Sequence, residues 1–264
     1  MATQSEPYPA RLDIGLPGRL DRLTTFLRPQ KVGGLAALYL AAAYVVAMPY
    51  FLAFVKYPSV TDPIEKVNLL VGNHASMRVM YLITYVIFGI VLAVLALALY
   101  ARLRDGAPTL TQAGTAVGLI WAVALVASGM IFNAGVAAVV ELHATSPAQA
   151  VSAWQAIEPV AQGLGGSGGE LLGGLWVLLV SVAALRTGGL PKMLNWLGVA
   201  IGALGVLSVV TALKDLAYGF GFLQIVWFVW LGIVMLRTTS RPADPARRAV
   251  ALEPGDGRLP SATV

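Results

Sequence analysis

The sequence contains no cysteine and little charge, and both absences narrow what the protein can be. Without cysteine there are no disulfides, thiolate nucleophiles or thiolate-bound metals. Charged residues make up 12% of the 264 residues, against about 25% in soluble proteins. Hydrophobic residues reach 58%, and the mean hydropathy is +0.76. These values exclude a soluble domain and a disordered chain, and they predict an integral membrane protein.

Charge is also absent from the interior of the apolar stretches. Each stretch is near the ~20 residues that cross a bilayer, and none alternates as barrel strands do. We therefore predict an all-α fold, a six-transmembrane-helix bundle with extra outer interfacial helices. Because ion pumps and proton-coupled carriers need intramembrane charges, the pattern disfavours ion coupling. The predicted spans are 34–55, 79–101, 113–135, 169–186, 194–213 and 218–237.

Basic residues are unevenly distributed between the two sides of this bundle. The side that carries both termini holds 14 lysines and arginines, and the opposite side holds four. The positive-inside rule then predicts cytoplasmic termini and, for a bacterial chain, a plasma-membrane location. The net charge of +5 is explained by topology, so nucleic acid is not an expected partner.

Polar tails flank the membrane domain, which we place at residues 34–237. In the N-terminal tail, 1–33, leucines at helical spacing with arginines between them fit either a short amphipathic helix on the inner leaflet or a disordered segment. The C-terminal tail, 238–264, is rich in proline, glycine and charge and is expected to be disordered.

Two outer connections are too long to be simple turns. In 56–78, Asp62, Pro63 and Glu65 form a helix start, so helix 2 should begin near Pro63 and bend near Gly72. In 142–168, an interfacial helix should start at Pro147 and end near Pro159. Together the two segments are expected to form a lid over the bundle.

Glycine, proline and aromatic residues carry further structural predictions. Glycines repeated every fourth residue, in the 163–174 run and in the pairs 114/118 and 198/202, indicate close helix packing rather than a phosphate loop. Pro49 should kink helix 1. Just beyond it, an interfacial aromatic belt is expected from Tyr50, Phe51, Phe54 and Tyr57.

Residues able to carry chemistry are concentrated at the predicted outer ends of the helices. Histidine, glutamate and asparagine there could bind a ligand, hold a divalent ion or act as acid and base. No paired metal-ligand spacing is present, and each residue also has an ordinary structural role open to it. The sequence therefore names no cofactor, metal or catalytic residue. The predicted ligand-binding set is His74, Arg78, Asn133, Glu141, His143, Glu170 and Gln224.

Helices 4 and 5 read ELLGGLWVLLVSVAALRTGGLPKMLNWLGVAIGALG. This text resembles a bacterial family of multi-pass membrane proteins named domain of unknown function 4386. The shared features are six-helix hydropathy, a long first outer segment and a short Arg-Gly-Pro hairpin, over about residues 34–237. The resemblance implies the fold but no activity and no catalytic residues.

Three functions fit these patterns. The first hypothesis is an outward-facing polar pocket that binds a small or lipidic ligand, with membrane lipids as the other expected partners. The second is a membrane enzyme acting on a lipid or quinone-like substrate through histidine and glutamate, with a metal in one version. The third is an uncoupled transporter, in which helices 2–3 and 4–5 form a parallel repeat.

Overall fold

The computed structural model of the protein describes residues 29–165 and 170–237. Every long element in these ranges is helical, and no strand occurs in them. The predicted amphipathic helix of the N-terminal tail and the whole predicted C-terminal tail, 238–264, lie outside them. We number the α-helices α1 Pro29–Pro49, α2 Pro63–Gly72, α3 His74–Tyr81, α4 Phe88–Leu103, α5 Pro108–Thr145, α6 Pro147–Gly165, α7 Glu170–Thr187, α8 Lys192–Leu207 and α9 Leu216–Arg237.

Five stretches of the described chain are long and apolar enough to cross a membrane. They are Pro29–Phe54, His74–Leu103, Pro108–Thr145, Pro147–Thr187 and Leu216–Arg237. The fourth includes the undescribed residues 166–169. The helix found in the predicted span 194–213 is shorter than predicted. This helix, α8, ends at Leu207 after 16 residues. An all-helical multi-pass membrane protein is thus confirmed, whereas a count of six spans stays a prediction.

The predicted helix 2 begins in the structure as α2, at Pro63, the residue that the capping pattern predicted. The Asp62 side chain accepts hydrogen bonds from the backbone N–H groups of Ile64 and Glu65, both at 2.9 Å, and Pro63 is the first helical residue. The helix is interrupted at Asn73, next to the predicted bend, and resumes as α3. A π-helical turn, Leu82–Ile87, joins α3 to α4 within the same 30-residue helical stretch.

The prediction that the second outer helix ends near Pro159 is wrong. Helix α6 runs on to Gly165, with Pro159 inside it. A proline within a helix removes one hydrogen bond and crowds the carbonyl one turn back. Here Pro159 is exposed, while the opposite face of α6 buries Trp154, Glu158 and Ala161. Packing of that face compensates for the missing bond.

Helices α6 and α7 both pack along the long helix α5, one after the other. A Cβ at Gly165 would lie 2.9 Å from the Ala124 carbonyl oxygen, and one at Gly173 would lie 2.8 Å from the Trp121 ring. The end of α6 and the start of α7 therefore meet α5 near the middle of its 38 residues. The predicted packing role of glycine is confirmed at these positions, and Gly169 is undescribed.

Buried apolar side chains form two clusters at different heights of the bundle. The larger one joins α1, α4, α5, α7, α8 and α9 and includes the fully buried Trp176 and Phe228. The second joins α2, α3, α6 and the outer part of α5 around Trp154, Tyr81 and Phe132. The outer connections thus have a core of their own, which covers the end of the membrane bundle.

One close contact between helices allows a test of glycine packing. A Cβ at Gly174 of α7 would lie 2.8 Å from the Gly202 carbonyl oxygen and the Val206 nitrogen of α8, whereas one at Gly114 would meet only ordinary contacts from 3.4 Å. We expect Gly174→Ala to lower the free energy of unfolding by about 1–3 kcal/mol. Gly114→Ala should leave it unchanged or raise it, since alanine favours helix. Thermal unfolding in one detergent measures both, and equal losses would contradict this account.

Candidate functional site

A cavity of about 630 Å³ opens where the two buried clusters meet. Residues of α1, α2, α3, α4, α5, α6, α7 and α9 line it, so it lies inside the bundle rather than on one helix. No residue of α8 lines the cavity. The chain that follows α8 contributes Lys214 and Asp215 to the cavity wall, and both are exposed.

The inner part of the cavity is mainly aromatic and aliphatic. Tyr44 packs edge-on against Phe88 with ring centroids 5.5 Å apart, and Tyr85 packs against Phe132 at 5.4 Å. Phe220 and Leu125 complete this wall. Such a surface suits the apolar part of a ligand.

The outer part of the cavity is built around the carboxylate of Glu158. Its Oε1 accepts hydrogen bonds from the Tyr57 hydroxyl at 2.9 Å, Lys66 Nζ at 3.1 Å and Gln162 Nε2 at 3.0 Å. Lys66 also reaches Oε2 at 3.2 Å. Both outer connections are therefore joined by one ion pair, as expected of a lid.

Tyr57 occupies a buried position in this network. It is 7% exposed, and its hydroxyl accepts a hydrogen bond from Trp154 Nε1 at 2.7 Å. Burial first, and then the Glu158 carboxylate, raise the pKa of the Tyr57 phenol above its ordinary value of 10.0, so it stays protonated and donates to Glu158. The prediction that Tyr57 belongs to a membrane-interface belt is therefore wrong, whereas Phe54 is exposed as a belt residue would be.

Sequence reasoning missed this network, although a signal was present. Trp154, Glu158 and Gln162 are spaced four residues apart, which places them on one face of a continuous helix. The predicted helix end near Pro159 left Gln162 outside the helix, so the shared face of these three residues was not recognised.

Of the seven predicted ligand-binding residues, only Glu170 lines the cavity. It begins α7 and faces the same space as Leu125 and Phe88. Gln224 is fully buried on α9, one turn beyond the cavity residue Gly221, and neither atom of its amide has a hydrogen-bond partner among the described residues.

The other five residues lie apart from the cavity. His74 Nδ1 is 2.7 Å from the Val71 carbonyl oxygen, and His143 Nε2 is 3.1 Å from Asn68 Oδ1. Asn133 donates to the carbonyl oxygen of Gly129. Their binding roles, with those of the exposed Arg78 and Glu141, stay predictions.

No group of three histidine, aspartate or glutamate side chains within residues 29–165 and 170–237 is arranged to hold a metal ion. The two histidines have separate partners at the outer ends of different helices. The arrangement of the described residues therefore adds no support to the metal-dependent version of the enzyme hypothesis.

Long apolar helices around an internal cavity define the chain as a multi-pass α-helical membrane protein. Residues 34–242 match the family model for DUF4386, a domain of unknown function. The chain belongs to that family, as the resemblance in the sequence of α7 and α8 indicated. Comparison with curated proteins and with solved structures found no significant match.

The Glu158 ion pair should contribute to stability because little solvent reaches it. The side chains of Lys66 and Glu158 are 23% and 11% exposed, against 56% and 92% for the surface pair Arg104–Asp105. We expect Glu158→Ala to cost about 2–3 kcal/mol of unfolding free energy, because it leaves three donors unpaired. Asp105→Ala should cost less than about 1 kcal/mol.

A double-variant cycle separates the ion pair from general damage. Thermal unfolding of Lys66→Met, Glu158→Ala and the double variant should give a combined loss smaller than the sum of the two single losses. Strictly additive losses would mean that the two side chains do not stabilise each other.

Proposed function

We propose that the protein binds an amphipathic ligand in this cavity, with the apolar part of the ligand inside the bundle and its polar part at the outer mouth. The observation that carries the proposal is the division of one cavity into an aromatic wall and a charged rim. Its volume of about 630 Å³ is within the range of small-molecule sites. The ligand-binding residues we propose are therefore Glu170 from the predicted set, together with Lys66, Glu158, Gln162 and Lys214.

The depth of the cavity in the bilayer supports an amphipathic ligand. Helix α4 has 16 residues and rises about 24 Å from Leu103 to Phe88. If the arginines beside Leu103 mark one edge of a hydrocarbon layer about 30 Å thick, Phe88 lies roughly 6 Å below the opposite edge. Lys66 and Glu158 then lie near the headgroups, so the cavity spans the boundary between lipid tails and water.

The distribution of basic residues orients this cavity. In the proposed topology six helices span the plasma membrane of a bacterium, both termini are cytoplasmic and the cavity faces outward. In this topology the short helix α8 is the fifth span in chain order, and a cytoplasmic turn joins it to α7. In that turn Gly188 adopts a φ of 65°, and Arg102 Nε donates to the carbonyl oxygen of Gly189 at 2.9 Å.

Filling the cavity should abolish ligand retention. Ala47 lines the cavity, whereas Ala42 lies on the exposed face of the same helix. We expect Ala47→Phe to release a ligand that the native protein keeps and Ala42→Phe to retain it, since only the first substitution occupies the bound volume. Native mass spectrometry of protein released from nanodiscs measures the retained mass.

Two results would contradict the proposal. One is a bare native chain that also fails to bind an added amphiphile such as octanol. The other is a ligand retained equally by the Ala47→Phe and Ala42→Phe variants, which would place it elsewhere. A matched unfolding temperature for the two variants shows that neither result reflects misfolding.

A further inference from the structure

Glu170 has no ion-pair partner within the described part of the chain. The ion pairs found there are Lys66–Glu158 and Arg104–Asp105. Glu170 is the first residue of α7, is partly buried and lines the cavity together with aromatic residues. A carboxylate at this depth is costly without a compensating positive charge.

The other charged groups of the cavity do not supply that charge. Three carboxylates, Glu158, Glu170 and Asp215, face two lysines, Lys66 and Lys214. Lys66 is held by Glu158 through both carboxylate oxygens. Lys214 is exposed, and its ammonium group is farther than 4.0 Å from the Glu170 carboxylate, outside ion-pair distance. The cavity therefore carries an excess of one negative charge.

Aromatic rings surround the same space as the unpaired carboxylate. Tyr44, Tyr85, Phe88 and Phe220 line the cavity together with Glu170. The π-face of an aromatic ring attracts a cation, and it does so most strongly where water is excluded. One carboxylate among aromatic rings is a combination that recognises an ammonium group.

We propose that the ligand of the cavity is cationic at its polar end, with an ammonium group that pairs with Glu170 between these aromatic rings. This inference rests on the proposed function and adds the chemical class of the ligand. The ammonium group belongs either to a lipid headgroup or to a free amphipathic amine. The competing explanation is that Glu170 only complements the dipole of α7 from its first turn.

The probe pair that separates these explanations is octyltrimethylammonium and octanol. Both have the same alkyl chain, and only the first is charged. We expect the native protein in maltoside micelles to bind octyltrimethylammonium at least about tenfold more tightly than octanol. Equilibrium dialysis against protein-free micelles measures both affinities.

Substitutions at two carboxylates test whether Glu170 causes the preference for octyltrimethylammonium over octanol. Glu170→Gln keeps the shape of the side chain and removes its charge, so the preference should disappear while octanol affinity changes less than about twofold. Glu170→Asp should restore part of the preference. Glu65→Gln is the matched control, because Glu65 is exposed and outside the cavity, and it should behave as the native chain does.

Native mass spectrometry with added phosphatidylethanolamine or phosphatidylglycerol distinguishes the two sources. Selective retention of phosphatidylethanolamine, lost in Glu170→Gln, identifies a lipid headgroup. A preference for octyltrimethylammonium without lipid selectivity identifies a free amine.

Equal affinity for the two octyl probes, or a preference that survives Glu170→Gln, would overturn the inference. In that case octanol binding that is sensitive to Ala47→Phe would leave the proposed function standing. Failure of both probes to bind the native protein would overturn the proposed function as well.

Discussion

The hydrogen bonds and the ion pair of the Glu158 carboxylate join the two connections that we predicted to be outer, 56–78 and 142–168. They bring together Tyr57, Lys66 and α6, segments about a hundred residues apart in the chain. A carboxylate that is nearly buried needs its donors in place, and each donor here comes from a different turn or helix. The network therefore fixes the outer connections over the bundle, and the rim of the cavity follows from that placement.

Below this network, the bundle is organised by the length of α5. At 38 residues it is about 57 Å long, more than the hydrocarbon layer requires, so its outer part needs a partner beyond the membrane. Helix α6 fills that position and α7 continues along the inner part, each in close contact through glycine. Since α8 stops after 16 residues, one side stays open, and this combination of long and short helices produces the cavity.

Features set by local chemistry could be predicted from the sequence, and features set by distant contacts could not. The helix start at Pro63 follows from Asp62 and its neighbours, and the packing glycines follow from their spacing. The path of α6 through Pro159 depends on burial of the opposite helix face, which no local pattern reveals. For the same reason Tyr57 resembled a belt residue, although its hydroxyl is bound by groups about a hundred positions away. The place of Glu170 at the start of α7 could also be predicted, because it is the carboxylate directly before a long apolar run, whereas its binding role stays a proposal.

The charged residues of the cavity also have different roles from the other charged residues of the protein. In the proposed topology most basic residues lie on one side of the membrane and orient the chain. Lys66 and Glu158 neutralise each other and stabilise the outer connections. Glu170 does neither: it lines the cavity together with aromatic side chains and forms no ion pair within the described chain. Helix-dipole stabilisation is strongest for a charge at a helix start but modest in size. In our proposal the cavity opens to the headgroup region, and a cationic ligand that pairs with Glu170 offsets the cost of holding that charge within the bundle.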